Sequence, residues 1–279
     1  DDKLIKLKVS KDDVEKVEEI FNDKESTINP YYFQYKAHQL DVTINSDVFN
    51  LELSKYGIIL IKNASLDQAI EIVRKRVDEV GTNEPNILKR GNDRILLELP
   101  GLDNPDRIKS LLGKTADLAF RLESKSSNES FGTEKLKLIE TGEELLLSKR
   151  VIISGDNLVD ASPRMDSLNN QTVVSFTLDR VGSKRFAQAT KRNIGTRLAI
   201  VLDGQIISAP VIRDVIAGGS GQISGGFTFQ SATDLALLLR SGALPAPLNI
   251  IEERTVGPDL GQDSINAGIL SLIIGFLLV

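Results

Sequence analysis

The stretch that decides the fold is Ser65-Leu66-Asp67-Gln68-Ala69-Ile70-Glu71-Ile72-Val73-Arg74-Lys75-Arg76-Val77-Asp78-Glu79-Val80-Gly81 and the two runs that follow it. Leu66, Ala69, Ile70, Val73, Val77 and Val80 recur at helical spacing, so they make one apolar stripe, and Gly81 stops it. Asn86–Arg90 and Ile95–Leu99 then alternate around Gly91-Asn92-Asp93, the pattern of a hairpin. Pro100-Gly101 ends the second strand. A helix over 105–112 and a strand over 116–122 complete the order helix-strand-strand-helix-strand. One more strand would make a ferredoxin-like sandwich, two helices on an antiparallel sheet. Leu248–Val256 is the candidate, so it is expected to pair with strands of residues 85–122.

Working outward, Leu4–Val9 alternates as a half-exposed strand. Ser10 is placed to cap a helix carrying Val14, Val17, Ile20 and Phe21. Tyr31–Tyr35 and Leu40–Ile44 read as strands, which predicts a small β-α-β-β module over residues 1–50. Asn45-Ser46-Asp47 then caps a helix that reaches Val80, with a break near Gly57 or Asn63. Ile58–Ile61 fits strand or buried helix. On the other side, the polar run Ser124–Glu129 is the best domain boundary. Val151–Ile153, Val173–Leu178, Leu198–Leu202 and Ile206–Ile212 read as strands, with Asp203-Gly204 as a hairpin turn. A helix fits 182–193 with Phe186 and Ala189 inward, a short strand lies around Ile223, and Ser231 caps a helix ending near Arg240.

From Ile265 to Val279 no residue is charged, and only Asn266 and Ser271 are clearly polar. Fifteen residues fall short of the roughly 20 that cross a bilayer. The run therefore reads as the start of a transmembrane helix, with a buried C-terminal core helix as the alternative. The chain opens Asp1-Asp2-Lys3 without a signal-like apolar region, so a fragment is expected.

Among 279 residues, 41% are hydrophobic and 26% charged, ordinary for a globular chain with room for a sizeable core. The formal net charge of −5 and the lack of a dense basic run argue against nucleic acid. With no cysteine there is no disulfide, zinc-thiolate site or thiol nucleophile. The one histidine, His38, cannot build a multi-histidine metal site. Gly218-Gly219-Ser220-Gly221-Gln222-Ile223-Ser224-Gly225-Gly226 lacks the Lys of a phosphate loop and leads into a strand, so turns in a β-rich domain explain it better. Asp156, Asp160, Asp166, Asp179, Asp203 and Asp214 fit turns, where aspartate bonds its own backbone. No catalytic, cofactor or metal site emerges, and a non-enzymatic protein is expected. A hydrolase would need two of these acids in one cleft, and a purely structural assembly module would need no binding site of this kind.

Several strings together resemble the SecD family. They are Arg76-Val77-Asp78-Glu79-Val80-Gly81 with Glu84-Pro85, Arg94-Ile95-Leu96-Leu97-Glu98-Leu99-Pro100-Gly101, and the run from Gly113 to Leu122. Ile153-Ser154-Gly155-Asp156, Val173–Phe176, Asn193–Gly204 and Ser208-Ala209-Pro210 follow in family order. Leu239-Arg240-Ser241-Gly242-Ala243-Leu244-Pro245-Ala246-Pro247 and Val256-Gly257-Pro258-Asp259-Leu260-Gly261 complete the series. The first 50 residues match less sharply. The resemblance implies an accessory subunit of the bacterial Sec translocon, in the inner membrane with this portion periplasmic. It implies that the subunit captures unfolded preprotein and, with SecF and the SecYEG channel as partners, promotes late export driven by the proton gradient. It implies an α+β fold: a ferredoxin-like base (51–125 and 229–257), an inserted head (140–228), and a transmembrane start over 264–279 with residues 265–279 in the lipid bilayer. The family's first membrane helix and later proton-relay helices lie outside this sequence, so the chain is not expected to couple protons by itself. Arg240, Gly242, Leu244, Pro245, Gly257, Pro258 and Gly261 are the candidate motif or hinge residues. Ordinary helix-to-strand punctuation explains Leu244–Pro247 and Gly257-Pro258 equally well.

Overall fold

A computed structural model describes residues 4–30, 32–82, 84–101, 104–124, 131–167, 169–254 and 259–278. Residues 1–247 make one compact unit and residues 248–279 a second.

The first unit opens with β1 (Leu4–Lys8), α1 (Val14–Asn22), a single helical turn α2 (Tyr32–Tyr35), β2 (Leu40–Asn45) and β3 (Val48–Leu53). The strands form an antiparallel sheet ordered β1-β3-β2, with Phe49 and Leu51 of the middle strand buried. Two expectations need correction here. The aromatic run at 32–35 is helix rather than strand, because the buried Asn29 fixes the chain around it. The Asn29 amide donates to the Phe21 and Asp23 carbonyls, and its oxygen accepts from the Gln39 N–H. Asn45-Ser46-Asp47 is a hairpin turn with Ser46 at φ 60°, not a helix cap. The alternating run Val48–Leu53 pairs on both sides, so the strand wins, and Ser54 becomes the cap by accepting from the Gly57 N–H at 3.0 Å.

Helix α3 (Lys55–Val80) runs without a break through Gly57 and Asn63, and Gly81 caps it. It buries Leu66, Ala69, Ile72, Val73, Arg76 and Val77. β4 (Asn86–Arg90) and β5 (Arg94–Glu98) form the expected hairpin, and α4 (Pro105–Gly113) follows behind an Asn104 cap.

The ferredoxin-like sheet does not form among the described residues. β4 and β5 pair only with each other, whereas β6 (Leu118–Glu123) is the middle strand of a different sheet. That sheet also contains β7 (Thr133–Lys137), β8 (Glu144–Ser154), β11 (Leu198–Leu202) and β12 (Gln205–Ser208), ordered β12-β11-β6-β8-β7. The reason is burial. Leu118, Ala119 and Phe120 are buried in succession, so both faces of β6 need cover and both edges need partners. The charged hairpin β4–β5 offers neither, and the apolar β11 supplies one edge. Residues 248–254 form no strand, so the strand expected over Leu248–Val256 is not present among its described residues. Thr255 and Val256 lie outside the described residues, as does most of the polar run 124–129.

The five-stranded sheet nearly closes on itself. Leu138 bridges Ile206 in parallel, and the Ile139 N–H bonds the Ile206 carbonyl at 2.9 Å. Ala119, Leu138, Leu145, Leu147, Ala199, Val201 and Ile206 pack together on one face. The other face (Leu118, Phe120, Ile153, Leu198, Ile200) meets a three-stranded sheet of β13 (Ser220–Phe227), β10 (Thr172–Leu178) and β9 (Leu158–Met165). Helices α5 (Arg180–Arg192) and α6 (Phe229–Ser241) complete this core through Phe186, Ala232, Leu235, Ala236 and Leu239. β7 and β9 escape the sequence pattern because both are polar, and β9 carries Pro163, which suits an edge strand.

Helix α6 starts at the Thr228 cap rather than Ser231. Its opposite face, Leu237 and Leu238, packs with Leu111 and Ala116, so both sides of the helix are buried. In β13, a Cβ on Gly221 would stand 2.6 Å from the Phe176 ring. Gly221→Val is therefore expected to cost about 1–3 kcal/mol by overpacking. A urea midpoint equal to that of the unaltered chain would refute this packing.

In the second unit, α7 (Asp259–Leu278) is helical, and its side chains from Ile265 to Phe276 are exposed rather than buried in a core. Among the described residues no helix is long and apolar enough to cross a membrane.

Candidate functional site

Arg240, Gly242 and Leu244 meet at a junction of three helices whose centre is Arg76. The Arg76 guanidinium is fully buried. Nη1 donates to the carbonyls of Leu111 (2.8 Å) and Lys114, and Nη2 donates to those of Thr115 (3.2 Å) and Gly242 (3.2 Å). Nε reaches the Ser241 hydroxyl at 3.3 Å. These carbonyls belong to the ends of α4 and α6, where the last turn of a helix has no internal donors and carries partial negative charge. One cation thus satisfies two helix ends. Burial lowers the guanidinium from its ordinary value to about 10, with nearby Asp203 acting the other way, so it is charged at neutral pH.

Asp203, at φ 49° in the β11–β12 turn, ties the junction to the sheet. Its carboxylate accepts from the Thr115 hydroxyl (2.7 Å) and from the N–H groups of Asp117 (2.9 Å) and Ala116 (3.2 Å). Leu244 is buried and its N–H bonds the Thr115 carbonyl at 2.8 Å. Arg240 pairs with Glu79 of α3 and also donates to the Ala161 carbonyl of β9 at 2.8 Å. Arg107 of α4 pairs with Asp234 of α6 at 2.7 Å.

Of the remaining candidates, Pro245 is exposed beside the junction, and Gly261 lies in α7. Gly257 and Pro258 fall outside the described residues. Sequence reasoning missed Arg76, although it stands in phase with Ala69 and Val73 on the apolar stripe; a cation at such a position needs buried acceptors.

The acids do not converge. Asp179 caps α5 by accepting from the Gly182 N–H, Asp214 bonds the Val215 N–H, and Asp203 serves the turn above. No group of His, Asp and Glu able to hold a metal occurs among the described residues. His38 packs 4.7 Å from Tyr32 between ring centroids. The glycine cluster is strand β13, not a phosphate loop.

A cleft of about 690 Å³ opens between β8 and α5. Leu122 and Ile152, both packed against the main core, floor it together with Ala189. Arg150 stands on the strand side, and Arg185, Gln188 and Arg192 stand on the helix side.

Comparison with known proteins places these features in one family. Residues 130–246 match the family described as SecDF, P1 head subdomain, and residues 66–125 match that described as protein translocase subunit SecDF, P1 domain, N-terminal. The protein translocase subunit SecD of Acetobacter pasteurianus is 46% identical over 263 residues, covering 92% of this chain and 49% of that protein. The SecD of Rickettsia conorii is 45% identical over 250 residues, covering 85% of this chain and 48% of that protein. The chain thus spans about half the length of the curated relatives it matches. A solved structure titled as a membrane component SecDF that enhances protein export aligns with TM-score 0.59 at 33% identity, over 70% of this chain and 94% of that one. SecDF in a super-membrane-facing form aligns with TM-score 0.61 at 37% identity, over 77% of this chain and 31% of that one.

Proposed function

This chain belongs to the SecD family of protein translocase subunits, is a non-enzymatic component of protein export, and from that premise we propose that it is the part that captures emerging unfolded preprotein. In this reading it lies on the periplasmic side of the bacterial inner membrane. It works with SecF and the SecYEG channel and promotes the late stage of export driven by the proton gradient. The observation that carries the proposal is the open cleft between β8 and α5 in the segment that matches the family's head. A handler of sliding chains needs exposed sheet edge and apolar floor, not a closed pocket.

The division into a base (51–125 and 229–257) and a head (140–228) is part of the proposal. It is supported by α6, whose two faces pack into different clusters, with β6 as the strand of the base that enters the head's sheet. Contact of residues 265–279 with the bilayer is a further part, supported by exposed Ile265, Ile269, Leu270, Leu272, Ile273 and Phe276 in a stretch without charge.

Titration of the 279-residue chain with a reduced, unfolded preprotein tests the central claim. A chain that must slide cannot be held long, so saturable binding is expected in the micromolar range or weaker, about −8 kcal/mol at most. Absence of saturable binding at physiological salt leaves only an assembly role and ends this reading.

A further inference from the structure

We propose that the β8–α5 cleft binds an extended polypeptide segment through its acidic side chains, with Arg185 and Arg192 on one wall and Arg150 on the other. The inference rests on the preprotein-handling reading above and adds to it the chemistry of the segment held.

The first ground is the strand. β7 flanks β8 only from Glu144 to Ser148, and the Lys149 N–H bonds the Gly132 carbonyl. β6 lies along the other side as far as Ser154. From Arg150 to Ser154 no described strand covers the β7 side. Arg150, Val151 and Ile152 of that stretch line the cleft, about 10 Å of strand along which an extended chain can lie.

Charge is the second ground. Arg185, Gln188, Ala189 and Arg192 follow the i, i+3, i+4, i+7 spacing of one helix face, and all four line the cleft. None of the lining residues is acidic. Among the described residues Arg150, Arg185 and Arg192 are exposed and make no ion pair, as is also true of Arg90, Arg164, Arg180 and Arg213; what sets the three apart is that they line one cleft. The helix dipole accounts for Arg192 in the last turn of α5, but not for Arg185 near its middle or Arg150 on the strand. In a chain of net charge −5, three guanidinium groups and no acid around one cleft favour an anionic occupant.

The spacing selects the occupant. Seven residues separate Arg185 from Arg192, about 10 Å along the helix, so one phosphate cannot meet both. Carboxylates two to four residues apart on an extended chain lie about 7–13 Å apart and match. Backbone donors and acceptors on the β8 edge suit a polypeptide and have no use for a lipid headgroup.

The test measures binding of the 279-residue chain to two unstructured peptides that differ only by Asp→Asn changes. Measurement at low and physiological salt is followed by repetition with Arg150→Gln and with Arg185→Gln/Arg192→Gln, after thermal melts show the fold intact. The acidic peptide is expected to bind about tenfold more tightly at low salt, and that preference is expected to vanish in both variants. Equal binding of the two peptides by the unaltered chain overturns the acidic preference. If unfolded preprotein still binds in that case, the preprotein reading stands and only this inference fails. A preference that persists in the variants places the acidic contact elsewhere and also overturns it. Loss of binding to anionic phospholipid vesicles in the variants, with peptide binding unchanged, would assign the cleft to the membrane instead.

Discussion

Arg76→Ala is expected to lower the stability of residues 1–247 by about 3–5 kcal/mol, because the Ser241 hydroxyl and the carbonyls at the ends of α4 and α6 lose their shared guanidinium at once. For a unit of this size that is a fall in melting temperature of roughly 10 °C. The effect comes from hydrogen bonds rather than volume. Arg76→Met fills the same space and is expected to lose nearly as much, while Arg76→Lys keeps the charge but not the planar fork that reaches the ends of both α4 and α6, and recovers only part. The pH dependence has a defined sign. The folded-state value of about 10 lies below that of an ordinary guanidinium, so the unfolded chain holds the extra proton above pH 10 and the contribution of Arg76 to stability rises with pH only there. Between pH 6 and 9 the contribution of Arg76 is flat. Thermal melts of the three variants over that range check both statements; a melting temperature unchanged in Arg76→Ala would mean that the junction is not held by this cation.

Gly242→Ala is the second large effect, and its cause is the backbone alone. Gly242 stands at φ 90°, ψ 170°, a region that is essentially reserved for glycine. A Cβ there would meet nothing within 4 Å, so steric crowding contributes nothing. The expected cost is about 1–3 kcal/mol, and Gly218→Ala is the control, since its Cβ also points into open space and it lacks the positive φ. The Gly242 carbonyl also accepts from Arg76, so strain at one loosens the other. The double variant with Arg76→Ala is therefore expected to lose less than the sum of the two single changes. If the proposed function holds, the protein with Gly242→Ala is expected to support export less well than the Gly218→Ala control. Equal melting curves for the two glycine variants would remove the backbone argument.

Local pattern alone determined much of this protein. The stripe from Leu66 to Val80, the Gly91 and Asp203-Gly204 turns, the strands at 172–178 and 198–202, and the helix carrying Phe186 are all legible because period and turn chemistry are properties of neighbouring residues. Family membership was legible for the same reason: its motifs are short contiguous strings from residue 76 onward. Tertiary structure decided what pairs with what. β6 reads as the next strand of a ferredoxin-like sheet, yet it joins β8 and β11, because burial of Leu118, Ala119 and Phe120 demands cover on both faces and no property of β6 itself names the partner. Tyr32–Tyr35 has strand propensity, yet Asn29 holds it as helix through bonds to carbonyls six and eight residues earlier and to an amide ten residues later. Asn45-Ser46-Asp47 suits a helix cap or a hairpin turn equally, and the pairing of Val48–Leu53 between two strands chose the turn. At the junction, Arg240, Gly242 and Leu244 announced themselves as one string. Their partners Arg76, Thr115 and Asp203 did not, since those residues are distant in sequence and acquire meaning only where three helix and strand ends converge on one buried charge.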